Sequence, residues 1–226
     1  INATGRAVIQ ASRDVVDEMK QRAASTWNVT PDQVSWESGE AVNQVNGETK
    51  TMKQICREAP QTGGPIAATA SLNATPGEAP AFAVHICDMG VDQDTGHSQV
   101  LRYTAIQDVG RAIHPSFVEG QMQGGAVQGI GWAMNEEYVF DASGVMENPG
   151  FLDYRIPLAS DLPMIETIIV EVPSPSHPFG VRGVGEVPII PPLAAVGSAV
   201  STAINRPITE LPCSPPRVLA TIQAEQ

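Results

Sequence analysis

Cysteine is scarce. Only Cys56, Cys87 and Cys213 occur, with no C-x-x-C spacing, so a disulfide framework is not expected and reduced thiols in a cytoplasmic compartment are. The same scarcity excludes an iron–sulfur cluster held by this chain alone, which takes about four thiolates in characteristic spacings. His85, His97, His114 and His177 show neither H-x-x-x-H nor H-E-x-x-H spacing, and no residue is expected to ligate a metal directly. Basic residues are also few: 13 Lys+Arg against 25 Asp+Glu leave a net charge of −12. That balance argues against nucleic acid and against an anionic membrane surface as partners. No run of about 18 apolar residues stands out, so no membrane span is expected. Dinucleotide and nucleotide-triphosphate loops are missing, as is the G-x-S-x-G elbow. N-x-T sequons at Asn2, Asn28 and Asn73 read as coincidence without a signal peptide. The chain opens on Ile1 with no leader, and a piece of something longer, or a processed subunit, is expected.

What is present describes a globular chain. Hydrophobic residues make up 42% of 226 positions, and Gly 20 with Pro 19 imply a loop-rich build. Val8, Ile9, Val15, Val16 and Met19 fall at helical spacing, which predicts an amphipathic helix over 5–24. Asn46-Gly47 marks a hairpin turn, and 51–59 suits a short helix. The Gly/Pro/Ala/Thr/Ser-rich stretch from Pro60 to Pro80 reads as a long connection, dividing a first sub-domain, 1–80, from a second, 81–226. Two alternating segments flank Asp92–Gly96 and predict a long β-hairpin. A glycine-rich helix is expected over 119–137, a short hairpin over 137–146 and a strand over 164–172. Residues 191–204 predict an apolar helix with Pro just inside its start, buried nearly all round. The tail from 211 looks extended and proline-stiffened. The fold class is α+β (mixed α/β).

Two segments break local rules. In Gly120-Gln121-Met122-Gln123-Gly124-Gly125-Ala126-Val127-Gln128-Gly129-Ile130-Gly131, four glycines inside a helix forgo about 4 kcal/mol of intrinsic preference. Close packing of the helix against its neighbours explains this, and so does backbone near a helix N-terminus approaching a bound anion or cofactor. On the second reading Gln121 sits in the first turn with an amide that donates and accepts. The other segment runs Gly183-Val184-Gly185-Glu186-Val187-Pro188. A carboxylate among Val184, Val187 and Pro188 would be desolvated and its pKa raised toward that of a general base. The alternative is a loop Glu capping the helix that follows.

These segments carry a resemblance. AIQDVGRAIHP, GQMQGGAVQGIGWAMNEE, NPGFLDYRIPLASDLP, GVRGVGEVPIIPPLAAVGSAV and ITELPCSPPRVLATI, in that order over 82–222, resemble the C-terminal part of the molybdenum-binding large subunit of the xanthine oxidase / aldehyde oxidoreductase family. The resemblance is weak over 1–80. It implies the C-terminal half of a molybdopterin-binding domain, with Glu186 as the catalytic base. Gln121, Gly120, Gly183, Val184 and Gly185 would then border the molybdenum-molybdopterin cofactor. It implies oxidation of an aldehyde or N-heteroaromatic substrate with water as oxygen source, and electrons leaving through [2Fe-2S] clusters to FAD on partner chains. Partners would be the other half of the molybdenum subunit, which shares the cofactor, an iron–sulfur subunit and an FAD subunit. Val187 stands where the family often has Pro, and Gln123 where Glu is frequent; neither changes a catalytic atom. A non-catalytic structural or assembly subunit, and a metal-free small-molecule binding domain, are the other readings.

Overall fold

The computed structural model describes residues 2–72 and 80–224. It divides into two compact units, Ile1–Pro76 and Gly77–Gln226. The third sequon and part of the 60–80 connection lie outside the described residues.

In the first unit, α1 runs Asn2–Trp27, longer at both ends than the spacing predicts. Val15, Met19 and Ala23 recur every four residues, and with Ala24 they form the stripe that packs on Val34, Ala41 and Ile55. Strands β1 (Val34–Glu37), β2 (Glu40–Asn43) and β3 (Thr49–Thr51) form an antiparallel meander. Asn46-Gly47 turns β2 into β3, with Gly47 at φ +78°, as the dipeptide predicts. A second turn falls at Ser38-Gly39, both residues at positive φ, where a Ser-Gly dipeptide also marks a turn. Helix α2 (Met52–Thr62) starts from a capping box, in which Thr51 Oγ1 accepts from Gln54 N and Gln54 Oε1 accepts from Thr51 N.

The second unit is a three-stranded sheet backed by helices. Strands β4 (Phe82–Val91) and β5 (Ser98–Asp108) form the predicted long hairpin, antiparallel from Phe82↔Asp108 to Val91↔Ser98. Asp92 Oδ1 accepts from the N–H groups of Asp94 and Thr95 at its exposed tip. The chain then crosses through α3 (Pro115–Met134) to β6 (Glu166–Val170), which pairs parallel with β5, as a helical crossover allows. Met122, Ala126, Ile130 and Ala133 of α3 close over the inner sheet face with Tyr103, Ala105 and Val109. Helix α4 (Pro191–Ile204) adds Val196, Val200 and Ile204, and α5 (Pro215–Gln223) adds Val218. The outer sheet face keeps Phe82, Val84, Ile86 and Ile168 exposed beside the Arg102–Glu166 ion pair at 2.9 Å.

Four expectations need correction. The tail is not extended: Pro215 and Pro216 open α5 rather than break it, because the first turn of a helix needs no N–H there. The 137–146 hairpin reduces to one bridge, Phe140↔Met146. Helix α4 is not buried all round; Ala194, Ser198 and Thr202 lie on an exposed side, small residues that leave a one-sided core stripe. The stretch Val187–Ile204 is, among the described residues, apolar and long enough to cross a membrane by composition. It breaks at Ile190, however, and the 14-residue α4 spans only about 21 Å at 1.5 Å per residue, short of a bilayer core of about 30 Å.

Candidate functional site

Helix α3 begins at Pro115, with His114 at the N-cap. Pro pre-sets the helical φ at that position, so the helix starts four residues earlier than expected. Gln121 is therefore in the second turn, not the first, and its N–H is past the orphan donors of the helix end. What Gln121 offers is its side chain, which is exposed and without a hydrogen-bond partner among the described residues.

The glycines of α3 divide by environment. A Cβ at Gly125 would lie 3.0 Å from Pro188 Cγ, and one at Gly129 would lie 2.6 Å from Ile189 O and 2.7 Å from Pro192 Cγ. A Cβ at Gly131 would strike Glu136 and Pro157. These three are packing glycines. They let α3 seat the short 3₁₀ turn Val187–Ile189 directly against its backbone. Gly120 and Gly124, by contrast, have no atom within 4 Å of an added Cβ.

That seating brings the second segment to the first. A Cβ at Gly185 would lie 2.8 Å from Gln121 Oε1, so the Gln121 amide rests against the Gly185 backbone. Glu186 follows directly. It is exposed, which corrects the expectation that Val184, Val187 and Pro188 bury it: Pro188 is buried against α3, and the apolar neighbours are spent on packing rather than on enclosing the carboxylate. The capping alternative fails too, since Glu186 makes no side-chain bond to the turn it precedes and α4 starts from Ile190. Among the described residues the carboxylate has no partner. Gly183 has open space at its Cβ position, and Val184 is partly buried against the core.

The loop is anchored from below by residues that the sequence reading missed. Arg182 is buried and pairs with Asp108 at 3.1 Å, while its guanidinium also donates to Val172 O at 3.3 Å and Pro80 O at 2.6 Å. Asp108 accepts in addition from the N–H groups of Gly110 and Val172. Arg182 N donates to Val109 O at 3.0 Å, and Val181 bridges Gly110. Gly110 (φ +69°) is required because a Cβ there would collide with Gly180 O. Gln107, 1% exposed, donates through Nε2 to Val184 O at 3.3 Å and Gly183 O at 3.5 Å. The available sign was an amide in a strand face otherwise made of Tyr103, Ala105 and Val109.

Gln121 and Glu186 thus present an exposed amide and an exposed carboxylate, with Gly120 and Gly183 leaving open space beside them. Family comparison gives the class: the molybdopterin cofactor-binding domain family matches residues 1–163, and the chain belongs to it. Gly120 and Gln121 fall inside the matched span and Glu186 outside it. The chain is 38% identical over 172 residues to the xanthine dehydrogenase molybdenum-binding subunit of Escherichia coli O157:H7, covering 74% of this chain and 23% of that one. It is 31% identical over 204 residues to the carbon monoxide dehydrogenase large chain of Hydrogenophaga pseudoflava, covering 88% and 25%. Among solved structures, quinoline 2-oxidoreductase from Pseudomonas putida 86 superposes with a TM-score of 0.74 at 28% identity, over 94% of this chain and 28% of that one. The chain thus spans about a quarter of the length of the relatives it matches.

Proposed function

We propose that this chain supplies the general base and part of the molybdopterin pocket of a molybdenum hydroxylase, an enzyme that oxidises an aldehyde or N-heteroaromatic substrate with water as oxygen source. One observation carries the reading: the Gln121 amide lies against Gly185, the residue before Glu186, whose carboxylate is exposed and has no partner among the described residues. The residues suit the group. Gly120 and Gly183 leave room for close approach to backbone, and Gln121 offers both a donor and an acceptor to a pterin edge. When bound, the cofactor supplies the two-electron redox chemistry.

The chain's own part is positioning and proton transfer. Glu186 Oε takes the proton from the water-derived nucleophile, a role that needs an ionised carboxylate within hydrogen-bond reach and no competing partner. Gln121 orients the cofactor, and Arg182, Asp108 and Gln107 fix the loop. The rest of the molybdenum subunit completes the pocket, and iron–sulfur and FAD subunits take the electrons. Three cysteines without disulfides agree with a cytoplasmic setting.

The test is Glu186→Gln in the assembled enzyme. Hydroxylation should fall at least a hundredfold, about the value of a positioned base, with molybdenum content unchanged. Full activity in the loaded variant would instead assign the chain a purely structural place in the complex.

A further inference from the structure

Two buried polar atoms on the inner face of the β4–β5 pair lack a hydrogen-bond partner, His85 Nε2 and Gln107 Oε1. The register relates them. His85 pairs with Ala105, Tyr103 lies two residues to one side of Ala105 on the same face, and Gln107 lies two residues to the other. On the Tyr103 side the diagonal is already bridged, with His85 Nδ1 2.9 Å from Tyr103 Oη.

Protonation follows from the surroundings. Tyr103 is fully buried and burial raises its pKa, so it keeps its proton. Burial lowers the His85 pKa to about 4, so the ring is neutral at pH 7. The phenol therefore donates to Nδ1, and the ring proton sits on Nε2. At the other end, the Gln107 amide has one workable orientation. Its amino group must face the two carbonyls of Gly183 and Val184, since the flipped amide would set oxygen against oxygen. That leaves a donor at His85 Nε2 and an acceptor at Gln107 Oε1, one strand diagonal apart and not hydrogen-bonded to each other.

We infer that Gln107 is a positioning residue for the loop that carries Glu186, clamping the Gly183 and Val184 carbonyls with its amino group. That clamp fixes the height of the Gly183–Glu186 backbone beneath the site. This rests on Glu186 acting as base. A displacement of about 1 Å at a reacting group costs on the order of a hundredfold in rate, so a loosened loop should be visible in kcat.

The test is made in the assembled holoenzyme. Gln107→Met keeps the volume and removes both hydrogen-bonding ends. Its kcat should fall roughly ten- to a hundredfold, with KM and molybdenum content within twofold of wild type, and a crystal structure should show the Gly183–Glu186 backbone displaced. If Gln107→Met does not assemble, Gln107→Glu takes its place, because a carboxylate of the same size repels the two carbonyls. Wild-type kcat with an unmoved loop in either Gln107 variant overturns the inference. Glu186→Gln run alongside separates the two ideas: full activity there removes the base, and the crystallographic position of the loop then decides the clamp by itself.

Discussion

His85 shows how one side chain ties stability to pH. It sits on the inner sheet face against Tyr103, where loss of hydration lowers its pKa from 6.5 to about 4. The unfolded chain takes up a proton near pH 6.5 and the folded chain does not, so between about 4 and 6.5 the unfolded state binds more protons and stability rises with pH. The contribution is fully present above pH 6.5 and is lost as pH falls toward 4. A shift of that size corresponds to at most a few kcal/mol, and to less once solvent screening of the partly exposed ring is allowed for. Denaturant titrations at several pH values between 4 and 7 should give a steeper fall for wild type than for His85→Leu, although the variant starts less stable. Parallel curves would mean that His85 is solvated in the native protein. Arg182 makes a parallel case without titrating. Buried with Asp108, it is an ion pair whose halves are each costly to leave alone, so Arg182→Met should destabilise by about 3–5 kcal/mol, read as a loss of denaturation midpoint.

Helix α3 separates packing glycines from open ones, and the difference is measurable. Gly129→Ala would push a methyl into Ile189 O and Pro192, an overpacking that costs about 1–3 kcal/mol. Gly124→Ala meets nothing within 4 Å and should gain up to about 1 kcal/mol of helix preference. Thermal melts should therefore move in opposite directions, and two shifts of the same sign would contradict the assignment. The elements themselves were largely legible. The 82–108 hairpin and the 191–204 helix follow from alternation and from Pro at N1, because both signals are local. The tail helix was not, since prolines at 215 and 216 look like breakers until their place in the first turn is known. The candidate site was half legible. Glycine runs marked Gln121 and Glu186, but their adjacency depends on Gly125 and Gly129 admitting the Val187–Ile189 turn, a contact between segments about sixty residues apart. Arg182, Asp108 and Gln107 lie beneath the loop in ordinary strand or loop contexts, and only the fold reveals what they hold.

At the scale of the molecule, the proposed site is a surface and not yet a pocket. Gln121 and Glu186 are both exposed, and Gly120 and Gly183 border open space. Hydroxylation chemistry needs a dry enclosure, because bulk water competes for every hydrogen bond that the base and the amide make. Relatives about four times as long have the material for the missing walls. The isolated 226-residue chain should accordingly bind molybdopterin far below stoichiometry, while the assembled complex carries it in full. Gln121→Leu in the complex should then lower molybdenum content, whereas Glu186→Gln should leave it unchanged, because on the proposed reading the first residue meets the cofactor and the second meets the proton. Elemental analysis of purified chain, complex and both variants distinguishes these outcomes. One molybdenum per isolated chain would show that this surface holds the cofactor without further walls.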